Sequence, residues 1–495
     1  MTIETTSEIT TLIRSRYPII QIDTHEEVRM LKILSELTTH EGWKLHVWTI
    51  AEGLRNYFEP PSSFSKQGIE DALIHIKDNE TNGVFSFLDI APHIKSPLSQ
   101  RIIKDIAENY DQKPKTLIFI GGYSELPEDL TRWVARYTPK LPDHDRIYEI
   151  YLEQAYKWLS EKHGRKLLHP KDAEQLMLRN LSGLAEEDVE RLVSNAIRRN
   201  GQILFDDAEL ILKFKKQAFG TDLIKFVSDT PEIDEVGGLE HLKSWLSLRR
   251  SRFLGDSKVD GLPAPKGILL LGIQGCGKSL AAKAVANAWK VPLIRLDLGM
   301  LYSKWLGETE HNMREALEHV EAMAPCVLWI DEIEKGISSD LNGFSDGGVS
   351  RRILATLLVW MAERTAQVFI VATSNDVSQL PPELIRKGRL DEIFFVELPD
   401  ENKREEIFRI HLKKRRLDPI NFDLFQLSHA SDKFSGAEIE QVIVSAMYSV
   451  STSTAPVTTT SILSEIRQTR PLAVVMSEKV MALRNWAVGR SVPAD

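Results

Sequence analysis

The chain has 495 residues, 42% of them apolar, which suffices for several hydrophobic cores and excludes a disordered or fibrous polypeptide. Its 62 basic and 71 acidic side chains leave a net charge of −9, which argues against general affinity for nucleic acid or anionic membrane. With two cysteines, no basic start or apolar run of a secretion signal, and no apolar run near the roughly 20 residues of a membrane span, the expectation is a soluble protein of a reducing, cytoplasm-like compartment.

From the N-terminal end, residues 17–22 read as a strand and 27–36 as the helix after it. Residues 43–48, 84–88 and 117–120 read as further strands, with helical stretches between them. Strands alternating with helices predict a parallel, layered sheet. After the first strand comes Asp23-Thr24-His25-Glu26-Glu27, with no glycine or lysine and with acids where phosphates would sit. Asp89 closes an apolar strand as a catalytic acid would, but Ile90 follows it.

The next, helical stretch echoes the end of the chain. Leu141-Pro142-Asp143 with Arg146 parallels Leu398-Pro399-Asp400 with Arg404, and Leu181-Ser182-Gly183-Leu184 parallels Phe434-Ser435-Gly436-Ala437. Residues 1–220 therefore read as a second, degenerate copy of the module that follows. Residues 213–231 read as a connector, interrupted by Asp222, Asp229 and Pro231.

Val236-Gly237-Gly238-Leu239 precedes a helix, and its glycine pair would let backbone lie against an adenine base. The stretch Gly272-Ile273-Gln274-Gly275-Cys276-Gly277-Lys278-Ser279 satisfies the phosphate-binding pattern G-x-x-x-x-G-K-[ST]. Its glycines let the backbone curl so that N–H groups face phosphate oxygens. Lys278 would reach the terminal phosphates and the Ser279 hydroxyl would bind Mg²⁺. The apolar run 267–271 before it reads as a buried strand. Leu280-Ala281-Ala282 opens a strong helix former after it, which places a helix N-terminus at the phosphates. That terminus would also stabilise a thiolate at Cys276, which would open the loop to oxidation.

Cys326-Val327-Leu328-Trp329-Ile330-Asp331-Glu332 is an apolar strand ending in paired acids. Asp331 can hold Mg²⁺ and Glu332 can polarise the attacking water of an ATP hydrolysis. The next strand, 368–375, ends at Asn375, placed to orient that water. Arg386 and Arg389 flank a glycine turn with Asp391 the only obvious acid nearby, so both are candidate arginine fingers. The basic stretch 413–416 reads as a helix end rather than a nucleic-acid patch.

In this order these motifs resemble the AAA family of the AAA+ ATPases over residues 230–450, and more closely a subgroup encoded in algal plastid genomes and found in cyanobacteria. The resemblance implies an α/β fold, a P-loop NTPase parallel sheet with a helical lid, preceded by the degenerate AAA-like module. The divisions would be 1–220, 221–400 and 401–495. It implies ATP and Mg²⁺ as ligands and a homo-oligomer, usually a hexamer, with Arg386 and Arg389 acting on a neighbour's nucleotide. Ser435-Gly436-Ala437-Glu438 matches the lid motif, placing Gly436 and Ala437 at the nucleotide, and His411 falls where a lid histidine lies by it. Lys304-Trp305-Leu306-Gly307 is similar to the pore loop that grips a protein client, with Trp305 and Leu306 in contact. A final segment, 477–488, is expected to close the lid. The implied task is remodelling of a protein partner, without membrane or nucleic acid, in the bacterial cytosol or the plastid stroma. A nucleotide-dependent scaffold that moves nothing is the alternative, and a nucleic-acid motor, disfavoured by the acidic balance, is a further one.

Overall fold

The computed structural model describes residues 3–59, 68–79, 82–122, 126–161, 167–221, 223–228, 230–232, 235–255, 261–303, 308–337, 349–386, 388–451 and 456–495. The chain divides into two compact units, Met1–Leu168 with Leu184–Ile203, and His169–Gly183 with Leu204–Asp495.

The first unit is built on six strands: β1 (Ile19–Asp23), β2 (Leu45–Thr49), β3 (Gly53–Asn56), β4 (Gly83–Leu88), β5 (Lys115–Gly121) and β6 (Val134–Tyr137). They lie in the order β3-β2-β4-β5-β1-β6, all parallel except the β2–β3 hairpin. Alternate residues serve opposite faces. Ile19, Phe85, Phe87, Leu117 and Phe119 join one core, while Ile20, Ile22, Val84, Ile118 and Ile120 join the other. A sheet covered on both sides has continuous apolar strands, which is why these runs were readable. The short edge strands β3 and β6 carry polar residues and escaped the pattern.

The second unit has seven strands: β7 (Ile224–Val227), β8 (Gly267–Gly272), β9 (Leu293–Leu296), β10 (Cys326–Ile330), β11 (Val368–Ser374), β12 (Glu392–Val396) and β13 (Val492–Pro493). Their order is β13-β12-β8-β11-β10-β9-β7, with only β7 antiparallel to its neighbour. From β9 to β12 the second sheet repeats the order and connection of five parallel strands of the first. β2 corresponds to β9, β4 to β10, β5 to β11, β1 to β8 and β6 to β12, each sheet starting with one antiparallel edge strand. The repeated topology identifies the first unit as an AAA-like module without a P-loop.

Three expectations change. Residues 213–231 are not a plain connector: the helix Phe205–Phe219 runs into them, and β7 pairs with β9. The first mark of the echo holds, since Asp143 and Asp400 each accept a backbone N–H at a helix start, from Arg146 (2.8 Å) and Lys403 (2.9 Å). The second does not. Ser435-Gly436 opens the helix Gly436–Ser451, whereas Ser182 ends the helix Lys171–Leu181, its carbonyl taken by the buried Lys215 ammonium. The helix that would correspond begins at Glu186, whose acidic first turn suits a helix N-terminus.

The last helix, Ser477–Ala487, does not join the lid core of Phe408, Leu412, Leu427, Ile439 and Ile443. Its Val480 and Leu483 pack on Leu271 and Ile273, where β8 enters the glycine-rich loop. Arg484 fixes it there through a bidentate pair with Glu397, both bonds 2.8 Å.

Candidate active site

β8 ends in the loop 273–277, and the helix Lys278–Trp289 starts directly after it. Gly275 and Gly277 adopt φ of +82° and +88°, the left-handed region in which a side chain is strained. A Cβ on Gly275 would also lie 2.7 Å from the Ser435 hydroxyl, so the loop passes too close to the lid for any other residue. The lid grips the loop directly: the Ala437 N–H donates to the Gly275 carbonyl (3.1 Å). Ser435 and Glu438 hold that end of the lid helix in a capping box. The Glu438 carboxylate accepts from the Ser435 N–H (2.7 Å), and the Ser435 hydroxyl accepts from the Glu438 N–H (3.4 Å).

Lys278 is buried and its ammonium donates to the carbonyls of Gly272 and Ile273, both at 2.8 Å. Burial pulls its pKa down to about 8, against the opposing charges of Glu334, Asp331 and Glu332. Beside it the acids are organised by Thr373. Its hydroxyl donates to Asp331 Oδ1 (2.7 Å) and accepts the Glu332 N–H (3.0 Å). Ser279 donates to the same Asp331 oxygen (3.1 Å), so a hydroxyl and a carboxylate, both hard oxygen donors, meet at one point. Such a pair fits Mg²⁺, which takes few protein ligands and fills its shell with phosphate and water. Glu332 has φ of +47°, turned so that Oε1 accepts from Asn375 Nδ2 (3.1 Å) and Oε2 pairs with Lys335 (2.5 Å). The Asn375 backbone is fixed in turn by Glu334 Oε1 (3.0 Å).

These groups line one cleft of about 400 Å³, which brings together Val236, Gly237, Gln274 to Leu280, Asp331, Glu332, Asn375, His411, Gly436 and Ala437. Val236, Leu239, Ile407 and Ile410 give the cleft an apolar part as well. His411 stands 3.7 Å from Glu440, and burial lowers its pKa despite that acid, so the ring is neutral at pH 7. Gly272 and Ile273 shape the loop through their carbonyls but lie outside the lining.

Arg386 and Arg389 are not among the cleft's lining residues. Arg386 is exposed, and Arg389 donates to the Glu383 carbonyl. Asp391 is no partner for either in these bonds; its carboxylate accepts the N–H groups of Lys266 (2.6 Å) and Gly267 (3.0 Å) and so fixes the start of β8. Trp305 and Leu306 lie outside the described residues. The sensitive thiol is not found. Cys276 packs against the Leu271–Val480 cluster, and burial pushes its pKa up to about 12, outweighing the helix terminus and Lys278. Sequence reasoning missed Thr373, Lys403, Glu440 and Asp495, which also line the cleft. For Thr373 a signal existed, a hydroxyl two residues before Asn375 on a strand beside that of Asp331; for Asp495 there was none.

In the first unit the equivalent strand ends enclose about 220 Å³ lined by Asp23 and Asp89. Burial raises the pKa of Asp23, and burial together with Asp89 raises that of Glu27. Two acids, with no lysine or arginine among the lining residues, are the opposite of a phosphate site.

A sheet whose central strand opens into a lysine-bearing loop under a helical lid, with an asparagine and a carboxylate pair at the ends of the next two strands, defines a P-loop ATPase. The comparisons place it more narrowly. The family described as "ATPase family associated with various cellular activities (AAA)" matches residues 268–398. The N-terminal and second domains of SpoVK-like AAA ATPases match residues 5–138 and 145–221. The chain is 35% identical over 486 residues to the "uncharacterized AAA domain-containing protein ycf46" of Trieres chinensis, covering 97% of this chain and 96% of the relative. The protein of that name from Guillardia theta is 33% identical over 490 residues, covering 96% and 93%. A cell division cycle protein 48 homologue of Archaeoglobus fulgidus is 31% identical over 328 residues, 60% of this chain and 44% of that protein. The chain belongs to the AAA ATPase family.

Proposed function

We propose that the chain binds ATP with Mg²⁺ in the 400 Å³ cleft and couples its hydrolysis to remodelling of a protein partner, working as a ring of identical subunits, by family precedent a hexamer. The carrying observation is the bond of Asn375 Nδ2 to Glu332 Oε1, which holds a base and a water-orienting amide together over Asp331 and Ser279. Lys278 neutralises the terminal phosphates, and Glu332 takes the proton of the attacking water that Asn375 orients. Mg²⁺, held by Ser279 and Asp331, would supply charge compensation at the phosphates. Val236 and Gly237 receive the base, with His411, Gly436 and Ala437 closing from the lid.

Arg386 and Arg389, outside their own cleft, serve as fingers for a neighbour's nucleotide. Residues 1–220 are a catalytically silent module, 221–400 the engine, and 401–495 the helical lid and C-terminal segment. Trp305 and Leu306 grip the client. The compartment in this reading is a bacterial cytosol or plastid stroma; among the described residues no helix is long and apolar enough to cross a membrane.

The test is ATP turnover of mixed assemblies. Lys278→Ala and Arg389→Ala should each be inactive alone, and mixing should restore turnover, because some interfaces then join an intact loop to an intact finger. Mixed rings without recovery would refute action in trans. Stimulation of the wild type by an unfolded protein separates remodelling from a scaffold, which would show none.

A further inference from the structure

The C-terminal segment, which joins the edge of the second sheet, also reaches the cleft. After the last helix, β13 adds to the sheet edge, with Val492 opposite Phe394 and Pro493 opposite Phe395. Two backbone bonds then thread Ala494 between elements. Its N–H donates to the Phe395 carbonyl and its carbonyl accepts the Leu242 N–H, both at 3.0 Å. The segment is thereby locked before it reaches Asp495, which lines the cleft.

Both carboxylate oxygens of Asp495 are engaged, and each answers a local difficulty. Leu239 precedes the helix Glu240–Phe253 at φ of +61°, a left-handed conformation costly for a leucine, and its side chain can cap nothing. Asp495 Oδ1 accepts the Leu239 N–H. Lys403 lies in the first turn of the lid helix Glu401–Lys414, where a cation opposes the helix dipole. Asp495 Oδ2 pairs with it at 3.2 Å, and Asp400 at 3.3 Å. Burial works against the Lys403 charge, but the two acids outweigh it and raise its pKa. One carboxylate thus joins the wall at Leu239 to the lid at Lys403.

We propose that Asp495 is a positioning residue for the nucleoside end of the nucleotide: by tying Leu239 to Lys403 it sets the width of the base pocket and couples it to the lid. This rests on reading the cleft as an ATP site. It predicts a discrimination that a general structural role would not produce. The triphosphate end is held by the loop and Lys278, independently of Asp495, so only ligands carrying the nucleoside should be sensitive to it.

The experiment is calorimetric titration of the full chain with a non-hydrolysable ATP analogue and, separately, with inorganic tripolyphosphate. Asp495→Ala should bind the ATP analogue about tenfold more weakly and tripolyphosphate as the wild type does. Asp495→Asn keeps an acceptor for Leu239 but loses the charge facing Lys403, and should fall between them. If Asp495→Ala fails to fold, Lys403→Met, which keeps the apolar stem, must show the same nucleoside-only loss. Unchanged binding of the ATP analogue, or equal loss for both ligands, overturns the proposal. A wild type that binds no ATP analogue overturns instead the nucleotide reading beneath it.

Discussion

The Glu26 carboxylate accepts the backbone N–H of Glu187 at 3.2 Å, and this bond occupies the place that the Gly275–Ala437 bond holds in the second unit. In each case the donor is the second residue of a helix, starting at Glu186 or Gly436. In each case the acceptor lies in the loop after the corresponding strand, β1 or β8. The difference lies in what surrounds the bond. In the first unit Arg29 bridges Glu26 and Glu186, both at 2.6 Å, and Arg146 joins Glu186 as well, all four side chains nearly buried. Ion pairs internal to the chain hold the helix where the active module uses a glycine loop and leaves room for nucleotide.

Glu186→Ala should therefore destabilise the first unit while sparing ATP turnover. It removes the shared partner of two buried guanidiniums, a loss of about 3–5 kcal/mol. Hydrogen exchange over residues 186–200 should accelerate, with turnover per folded molecule within twofold of wild type. Loss of turnover in a fully folded variant would show that this module takes part in the chemistry.

The Cys276 thiol should be inert. With its pKa pushed up to about 12 by burial, almost no thiolate exists at pH 8. Peroxide or iodoacetamide should slow wild type and Cys276→Thr equally, as followed by ATP turnover and by mass spectrometry of the loop peptide. Selective modification of Cys276 within minutes would contradict this.

The sequence showed the loop, the acids and Asn375 because each sits where an apolar strand stops, and such strands are covered on both faces. It misplaced Cys276 because the helix terminus is local, whereas the burial comes from Val480 some two hundred residues later. Asp495 was illegible for the same reason: its partners Leu239 and Lys403 are distant in the chain, and a two-residue strand such as β13 has no periodicity to read. The false second echo came from matching Ser-Gly letters. Which helix end a Ser-Gly pair marks depends on its neighbours: a glutamate three residues on at Ser435, and a buried lysine at Ser182.

Asn375→Ala should separate binding from turnover. The amide's one described side-chain bond is to Glu332, so its loss leaves the phosphate loop intact and frees the base to swing toward Lys335. Affinity for ATP should stay within a few fold, and turnover should drop about a hundredfold, the scale of a mispositioned general base. Equal loss of both would make Asn375 a structural residue.

Lys278 should make ATP binding and apo stability respond to pH in opposite directions. Burial lowers its pKa from 10.5 to about 8 in the folded, nucleotide-free chain. Between about pH 8 and 10.5 the unfolded chain holds a proton that the folded one has released, so stability rises with pH through this window. Below it, the buried charge costs about 3 kcal/mol at most, the equivalent of that shift. ATP reverses the preference, because its phosphates favour the ammonium form. Affinity should fall from pH 7.5 to 9.5, and binding near pH 9 should take up close to one proton, read by calorimetry in buffers of different ionisation heat. Lys278→Met should remove both the proton uptake and the rise in apo melting temperature over this range. Proton uptake near pH 9 that persists in Lys278→Met would assign the titration to another group.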